Sequence, residues 1–426
     1  MAVDTPAKIA ILGSGPIGLE AALYARFLGY SVAIYEQAAE VATAVKAWGH
    51  VTMFTPFRMN RSPLGLAAIG AQDQAYRPPA DDELLTGCAW REKYLLPLSQ
   101  TDLLADHIKL GQRVLRVGKD AIQKGELVGD DERGDWSFRI LVRDAQGKER
   151  IDEADVVIDC TGVFAGPTAW LGHGGIPALG EIELTDRGAI EHALPDFQGA
   201  ARDHYAGEHT LLIGAGYSAA TNVVALAQLA KEVPATRVTW ITRHLATEGN
   251  AGPIGLIPGD WLPNRAALAQ EANALAGDPH GPVIHWPATV VDAMSRTADG
   301  PFVVRLAGEH AGEYSFDRIL ANVGFRPDRT IYEELHVHEC YATHGPMKLA
   351  AALAGQASAD CLDQAACGPQ TLLTPEPNFY ILGAKSYGRK SNFLLSTGLA
   401  QIRELFTILG DRPTLDLYAS AGQLPR

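Results

Sequence analysis

The stretch Lys8-Ile-Ala-Ile-Leu-Gly-Ser-Gly-Pro-Ile-Gly-Leu-Glu-Ala-Ala-Leu-Tyr-Ala-Arg-Phe-Leu-Gly-Tyr-Ser-Val-Ala-Ile-Tyr-Glu36 decides how the chain is read. Lys8 to Leu12 is a short apolar run of the kind a buried parallel strand needs. Gly13-Ser-Gly-Pro-Ile-Gly18 follows at once, Leu19 to Leu28 reads as a helix ended by Gly29, and Ser31 to Tyr35 is a second apolar strand closed by Glu36. Strand, G-x-G-x-x-G, helix, strand and acid together describe a cradle for a dinucleotide. Gly13 makes the tight turn, Gly15 lets the backbone approach a pyrophosphate, and Gly18 lets helix and strand pack closely. Pro16 stands in the first helical turn, where its missing N–H costs nothing. The helix N-terminus faces the diphosphate, and Glu36 accepts hydrogen bonds from ribose hydroxyls.

A second unit begins at Thr210. Thr210 to Ile213 reads as a strand, Gly214-Ala-Gly-Tyr-Ser-Ala219 as its turn, and a helix runs to about Ala230. The next strand, Arg237 to Ile241, ends in Thr242-Arg243-His244 instead of an acid. A cation there attracts a 2′-phosphate, so this site is expected to prefer NADPH over NADH. The alternative is that Arg243 is a surface arginine and Glu248 takes the ribose.

The halves share more than glycines. After the first come Trp136 to Val142, a turn at Ala145-Gln-Gly147, and the run Ala154 to Cys160 ending in Thr161-Gly162. After the second come Phe302 to Leu306, a turn, and the run Phe316 to Ala321 ending in Asn322-Val-Gly324. Such a repeat implies two similar dinucleotide-binding domains.

Composition narrows the function. The chain has 426 residues, enough for two or three domains, with 47% hydrophobic residues to fill them. Fifty acidic against 36 basic side chains leave a net charge of -14, which argues against nucleic acid or a membrane surface as partner. No apolar run is long enough to span a bilayer, and the N-terminus lacks a signal-peptide pattern, so a cytoplasmic protein is expected. Five cysteines do not make a disulfide framework.

On these motifs the chain resembles the flavoproteins with two dinucleotide-binding domains, and most closely their flavin-containing, N-hydroxylating and Baeyer–Villiger monooxygenase branch. The resemblance implies an α/β fold of two Rossmann-like, three-layer domains with β-meander insertions, the NAD(P)-binding domain inserted in the FAD-binding domain. The FAD-binding domain is expected at 1–165 and 318–426, the NADPH-binding domain at 166–317. It further implies that Gly13, Gly15, Pro16, Gly18 and Glu36 hold FAD, and that Gly214, Gly216, Tyr217, Ser218, Ala219 and Arg243 hold NADPH. Thr161-Gly162 and Val323-Gly324-Phe-Arg-Pro327 match the family's two strand-end turns. Pro377 to Gly383 matches its returning strand, and Ser396 to Leu409 its closing helix. Trp48, Asn392 and Phe393 are expected beside the cofactor.

Disulfide reductases of this group carry a close cysteine pair. Here the nearest pair, Cys361 and Cys367, has five residues between, and Cys88, Cys160 and Cys340 have no near partner, so dithiol chemistry is not expected. Asn60-Arg-Ser62 is similar to the N-x-S of flavin-containing monooxygenases, which makes Asn60 and Ser62 candidate catalytic residues; the alternative is that they cap a turn. Lys385 either neutralises reduced flavin or is a solvated loop lysine. Phe164-Ala-Gly166 followed by His173 departs from the monooxygenase F-x-G-x-x-x-H, since the histidine is displaced. His336, His338 and Cys340 would share one face of a strand, but nothing else calls for a metal, and none is expected. The implied function is oxidation of a small molecule at nitrogen, sulfur or a carbonyl carbon through a C4a-peroxyflavin, with FAD and NADPH as cofactors and O2 as co-substrate. The alternatives are an NAD(P)H:acceptor flavin oxidoreductase without oxygen insertion, or a non-catalytic redox sensor.

Overall fold

The computed structural model describes residues 3–245, 252–298, 300–356, 362 and 367–422. The chain divides into two compact units, Met1–Pro167 with Phe325–Arg426, and Thr168–Gly324.

The first unit opens with β1 (Lys8–Leu12), helix α1 (Pro16–Phe27) and β2 (Ser31–Tyr35), so the helix starts at the proline that suits a first turn. β3 (Ile108–Lys109) follows, then an antiparallel meander of β4 (Gln112–Lys119), β5 (Phe138–Asp144) and β6 (Glu149–Ala154), and finally β7 (Val156–Asp159). β1 runs parallel to both β2 and β7, with Ile9 facing Val32 on one side and Val156 on the other.

The second unit repeats the plan. β8 (His209–Ile213), the helix Tyr217–Glu232 and β9 (Arg237–Ile241) lead to the helix Pro263–Gly277 and β10 (Val283–Trp286). A meander of β11 (Thr289–Arg296), β12 (Phe302–Gly308) and β13 (Gly312–Phe316) precedes β14 (Arg318–Ala321). The sheet order is β10-β9-β8-β14. The chain then returns to the first unit with β15 (Phe379–Ile381), giving the order β15-β7-β1-β2-β3, and with the helix Leu395–Leu409.

Strand alternation divides each core in two. Ile9, Ile11, Val32 and Ile34 face α1 and the helix Leu395–Leu409, whereas Ala10, Leu12, Ala33 and Tyr35 face Phe138, Ile140 and Val142 of the meander. In the second unit Leu212, Val238 and Trp240 face the helices, and Leu211, Ile213 and Ile319 face Phe302, Val304 and Phe316. Each unit is thus helices on sheet on meander, the three-layer α/β class that the sequence implied.

Two sequence expectations are corrected. The runs Ala154–Cys160 and Phe316–Ala321 are not single strands: each breaks at an aspartate, where the chain passes from meander to parallel sheet. Asp155 accepts the Lys8 amide at 2.8 Å and gives its own amide to the Lys8 carbonyl at 2.9 Å. Asp317 does the same with His209, at 2.8 and 2.9 Å. The expected boundary at 318 also moves, because β14 pairs with β8 and so belongs to the second unit, which ends at Gly324. No described helix is long and apolar enough to cross a membrane.

Buried charges tie the first unit together. Arg133, 1% exposed, gives Nε to both Glu376 oxygens at 3.0 and 2.9 Å, and Glu376 also accepts the His336 amide at 2.9 Å. Glu376→Ala strands a buried guanidinium and is expected to lower unfolding stability by about 3–5 kcal/mol in urea titrations. A loss under ~1 kcal/mol would place this pair with ordinary surface bridges. Glu20, fully buried in α1, has its carboxyl raised by burial from 4.5 to about 7. The folded chain therefore keeps a proton that the unfolded chain loses near pH 4.5. Stability should fall by on the order of 3 kcal/mol as pH rises from there to about 7, then level off. Glu20→Gln should erase that slope in unfolding curves taken across the window.

Candidate functional site: two glycine cradles

In the first cradle, Gly13 adopts φ +96°, and a Cβ there would lie 2.8 Å from the Cys160 carbonyl oxygen just past β7. Its amide donates to Tyr35 O at 2.7 Å, so the turn is gripped from both neighbouring strands. A Cβ on Gly18 would overlap the Gly13 carbonyl oxygen, so only glycine allows this helix–turn approach. Gly15 is different: nothing lies within 4 Å of its would-be Cβ. The N-terminus of α1 carries no side-chain cap, so its first amides point into open space beside Gly15. Glu36 hangs over this turn. Its Oε2 accepts from Ser14 N at 3.0 Å and Ser14 Oγ at 2.8 Å, and Oε1 accepts from Ala38 N at 2.9 Å.

The C-terminal segment closes on the same place. A Cβ on Gly383, which has φ +76°, would lie 3.3 Å from Ile17 Cγ1, and one on Gly398 would overlap Ile17 Cδ1. Phe393 stands 5.3 Å from Tyr387 in an edge-to-face pair. Asn392 Oδ1 beside it is buried and lacks a partner among the described residues. Gly162, with φ +68°, has nothing near its would-be Cβ, and Thr161 precedes it. Trp48 packs on Gly87, where a Cβ would come within 2.6 Å of its ring.

The second cradle copies the first. Gly214, φ +137°, would overlap the Asn322 carbonyl oxygen just past β14 if it carried a Cβ, and its amide donates to Ile241 O at 3.3 Å. Gly216 is open, and the helix it begins has no side-chain cap. Tyr217 starts that helix, Ser218 is exposed, and Ala219 is buried at the place Gly18 holds in the first unit. Gly324 adopts φ +89° with nothing near its would-be Cβ. Arg243 is exposed just beyond β9, with no ion-pair partner among the described residues; Glu248 lies outside them.

Three expected site residues behave otherwise. The Asn60 amide is engaged by its own turn: Nδ2 donates to Thr55 O, Thr55 Oγ1 and Pro56 O at 2.9–3.0 Å. Ser62 is the N-cap of the helix Pro63–Gln72, its Oγ accepting from Gly65 N at 2.7 Å. The turn-capping alternative describes both side chains, because a buried polar group takes the nearest partners on offer. Lys385 is neither a solvated lysine nor an unpaired cation. It is buried, with Nζ 2.6 Å from Asp159 Oδ2 and 3.0 Å from Thr161 Oγ1. Asp159 Oδ1 in turn accepts from Thr161 N and Oγ1 at 3.0 and 2.6 Å, which pins the turn that abuts Gly13.

Sequence reasoning missed Asp159, although an acid inside the run Val-Val-Ile-Asp159-Cys needs a buried partner and so signals one. It also missed the amide ladder in which Asn222 Nδ2 donates to Asn322 Oδ1 at 2.7 Å and Asn322 Nδ2 donates to His192 O at 3.3 Å. That ladder sets the carbonyl that crowds Gly214. Among the described residues Cys88, Cys160 and Cys340 are free thiols, and burial pushes Cys160 well above the usual thiol range. Cys361 lies outside the described residues. His336 to Cys340 is not a strand, His173 is exposed in a short turn, and no group of three metal-ligating residues occurs among the described residues.

No family model matches the sequence, and no curated protein does. Solved structures do. Bacillithiol disulfide reductase Bdr (YpdA) from Bacillus cereus is similar with a TM-score of 0.65 and 17% identity over 95% of this chain and 99% of that one. The FAD-bound cadaverine monooxygenase DfoA of Erwinia amylovora scores 0.61 at 15% identity, covering 96% of this chain and 95% of that one. The ornithine hydroxylase PvdA of Pseudomonas aeruginosa scores 0.60 at 14%, covering 95% and 99%. Reductases and hydroxylases thus share this architecture, and the chain has the fold of the flavoproteins built from two dinucleotide-binding domains.

Proposed function

We propose that this protein is an FAD-dependent, NADPH-using oxidoreductase, and that it oxygenates a small molecule at nitrogen, sulfur or a carbonyl carbon. The observation that carries the reading is the pair of cradles. Each has a glycine locked against a strand-end carbonyl, an open glycine beside it and an uncapped helix N-terminus. The first is completed by an acid, the second by a cation.

The residues fit the two groups. Around Gly15 the first amides of α1 would bind a diphosphate, and Glu36 would take ribose hydroxyls. Asn392 Oδ1 is a buried acceptor in want of a donor, which a flavin ring N–H could supply. The Lys385–Asp159 pair holds the Thr161 turn without adding net charge to the site. Around Gly216 the second helix would bind the nicotinamide dinucleotide, with Arg243 on a 2′-phosphate. Bound FAD supplies hydride acceptance and oxygen activation that no side chain can perform. Oxygenation is favoured over disulfide reduction because Cys88, Cys160 and Cys340 form no disulfide among the described residues and burial holds Cys160 protonated. The engaged Asn60 amide favours a second reading, an acceptor reductase without oxygen insertion.

Gly15→Val should fold like the parent, since its side chain meets nothing, yet lose flavin binding by at least ~100-fold, because the new group fills the diphosphate's place. A variant that still binds flavin as the parent does would sink the first cradle. Arg243→Ala should weaken NADPH by roughly tenfold or more, with NADH unchanged. Equal effects on both nucleotides would return Arg243 to the surface. Turnover with NADPH under labelled dioxygen distinguishes the two reactions: label in an amine, sulfide or ketone product supports oxygenation, and NADPH oxidation with electrons passing only to a dye supports the acceptor reductase.

A further inference from the structure

Glu20 is the only acid of α1, the helix whose N-terminus forms the first cradle, and it is 0% exposed. Its Oε1 accepts the Tyr94 hydroxyl. The Tyr94 oxygen accepts the Ser62 amide at 2.9 Å, and Ser62 Oγ accepts the Gly65 amide at 2.7 Å. Tyr94 sits in a single π-helical turn, Arg91–Leu95, an irregularity that helices tend to keep where a side chain must be aimed. Just ahead of it, Trp90 donates Nε1 to the Asn60 carbonyl at 2.8 Å. One short segment therefore holds both Asn60 and Ser62, and its far end rests on a buried carboxyl.

That carboxyl is incompletely satisfied. Glu20 Oε2 is buried without a partner among the described residues, and so is the Tyr418 hydroxyl, whose ionisation is opposed first by burial and then by Glu20 and Tyr94. Burial dominates Glu20's own ionisation, and the only groups that ease it are the hydroxyls of Tyr94 and Ser62. β1, β2 and the helix Pro63–Gln72 face α1 with apolar side chains. The helix Leu395–Leu409 adds Arg403, which acts on Tyr24, and the buried Glu404. The last helix, Leu417–Ala421, brings Tyr418 with Asp416 at its start. Among the described residues no basic group acts on Glu20.

We propose that Glu20 is a positioning residue: the proton on its carboxyl sets how tightly the Asn60–Ser62 segment is held. Ionised, the carboxylate draws the Tyr94 O–H into a charge-assisted bond, which makes the tyrosine oxygen a better acceptor for the Ser62 amide. Protonated, Oε1 is a neutral acceptor and the new O–H needs an acceptor of its own. The chain to Ser62 slackens, and with it the start of the helix Pro63–Gln72. Any consequence for turnover rests on the proposed function; the latch itself does not.

Amide hydrogen exchange on the full chain, as isolated and again with FAD added, tests it. After correction for intrinsic rate and relative to the β1 amides, Ser62 and Gly65 should exchange roughly tenfold more slowly at pH 8 than at pH 6, the worth of one buried hydrogen bond. In Glu20→Gln the step should vanish, and in Tyr94→Phe protection should be low at both values. A flat wild-type profile, or a step retained in Glu20→Gln, would overturn the proposal, and the wild-type profile decides it even if a variant fails to fold. Flavin uptake is scored separately. A pH step without flavin binding leaves the latch standing and removes the proposed function; flavin binding without a step does the reverse.

Discussion

In each unit the turn after the leading strand is pressed against a main-chain carbonyl from the strand on its far side. Cys160 O stands against Gly13 in one unit and Asn322 O against Gly214 in the other. Neither oxygen leaves room for a Cβ, and both glycines adopt φ values that other residues rarely hold. This contact aims the helix that follows at the carboxyl ends of the strands, where an open α/β sheet binds its ligands. The open glycines two positions on, Gly15 and Gly216, have meaning only because the first glycine of each motif is fixed.

The same economy appears at the entrance to each parallel sheet. Asp155 and Asp317 let the chain leave a meander and join the leading strand by bonding that strand's first residue with both side chain and backbone. A strand that turned the corner without such a group would leave an amide of β1 or β8 unpaired at the sheet's edge. The two halves are thus alike in their joints as well as in their cores.

Buried charge is spent on positioning. Lys385 and Asp159 hold the Thr161 turn, Arg133 and Glu376 fasten the meander loop to the segment before β15, and Glu20 supports the hydroxyl that supports Ser62. Each would be cheaper as a hydrocarbon. Their common feature is that they fix main chain near a cradle or a strand end, where an apolar contact would allow sliding.

Much of this was legible in the chain. The glycine motifs, the order of strands and the repeat of meander after cradle follow from local rules: apolar runs make buried strands, a glycine triplet makes one kind of turn, and proline opens a helix. Glu36 and Arg243 were placed by counting from those motifs. The breaks at Asp155 and Asp317 were not legible, since alternation alone does not mark where a strand changes sheets. Nor was the fate of Asn60, Ser62 and Lys385, whose motif-like surroundings suggested groups turned toward a ligand. A buried amide, hydroxyl or ammonium takes whichever partner the packed chain brings within about 3 Å. For Lys385 that partner lies 226 residues away in sequence, and for Tyr94 it lies 74 away. Sequence determined which segments fold and what kind of ligand they suit, because those depend on neighbours along the chain. Tertiary structure alone decided which polar side chains remain open to that ligand, because that depends on neighbours in space.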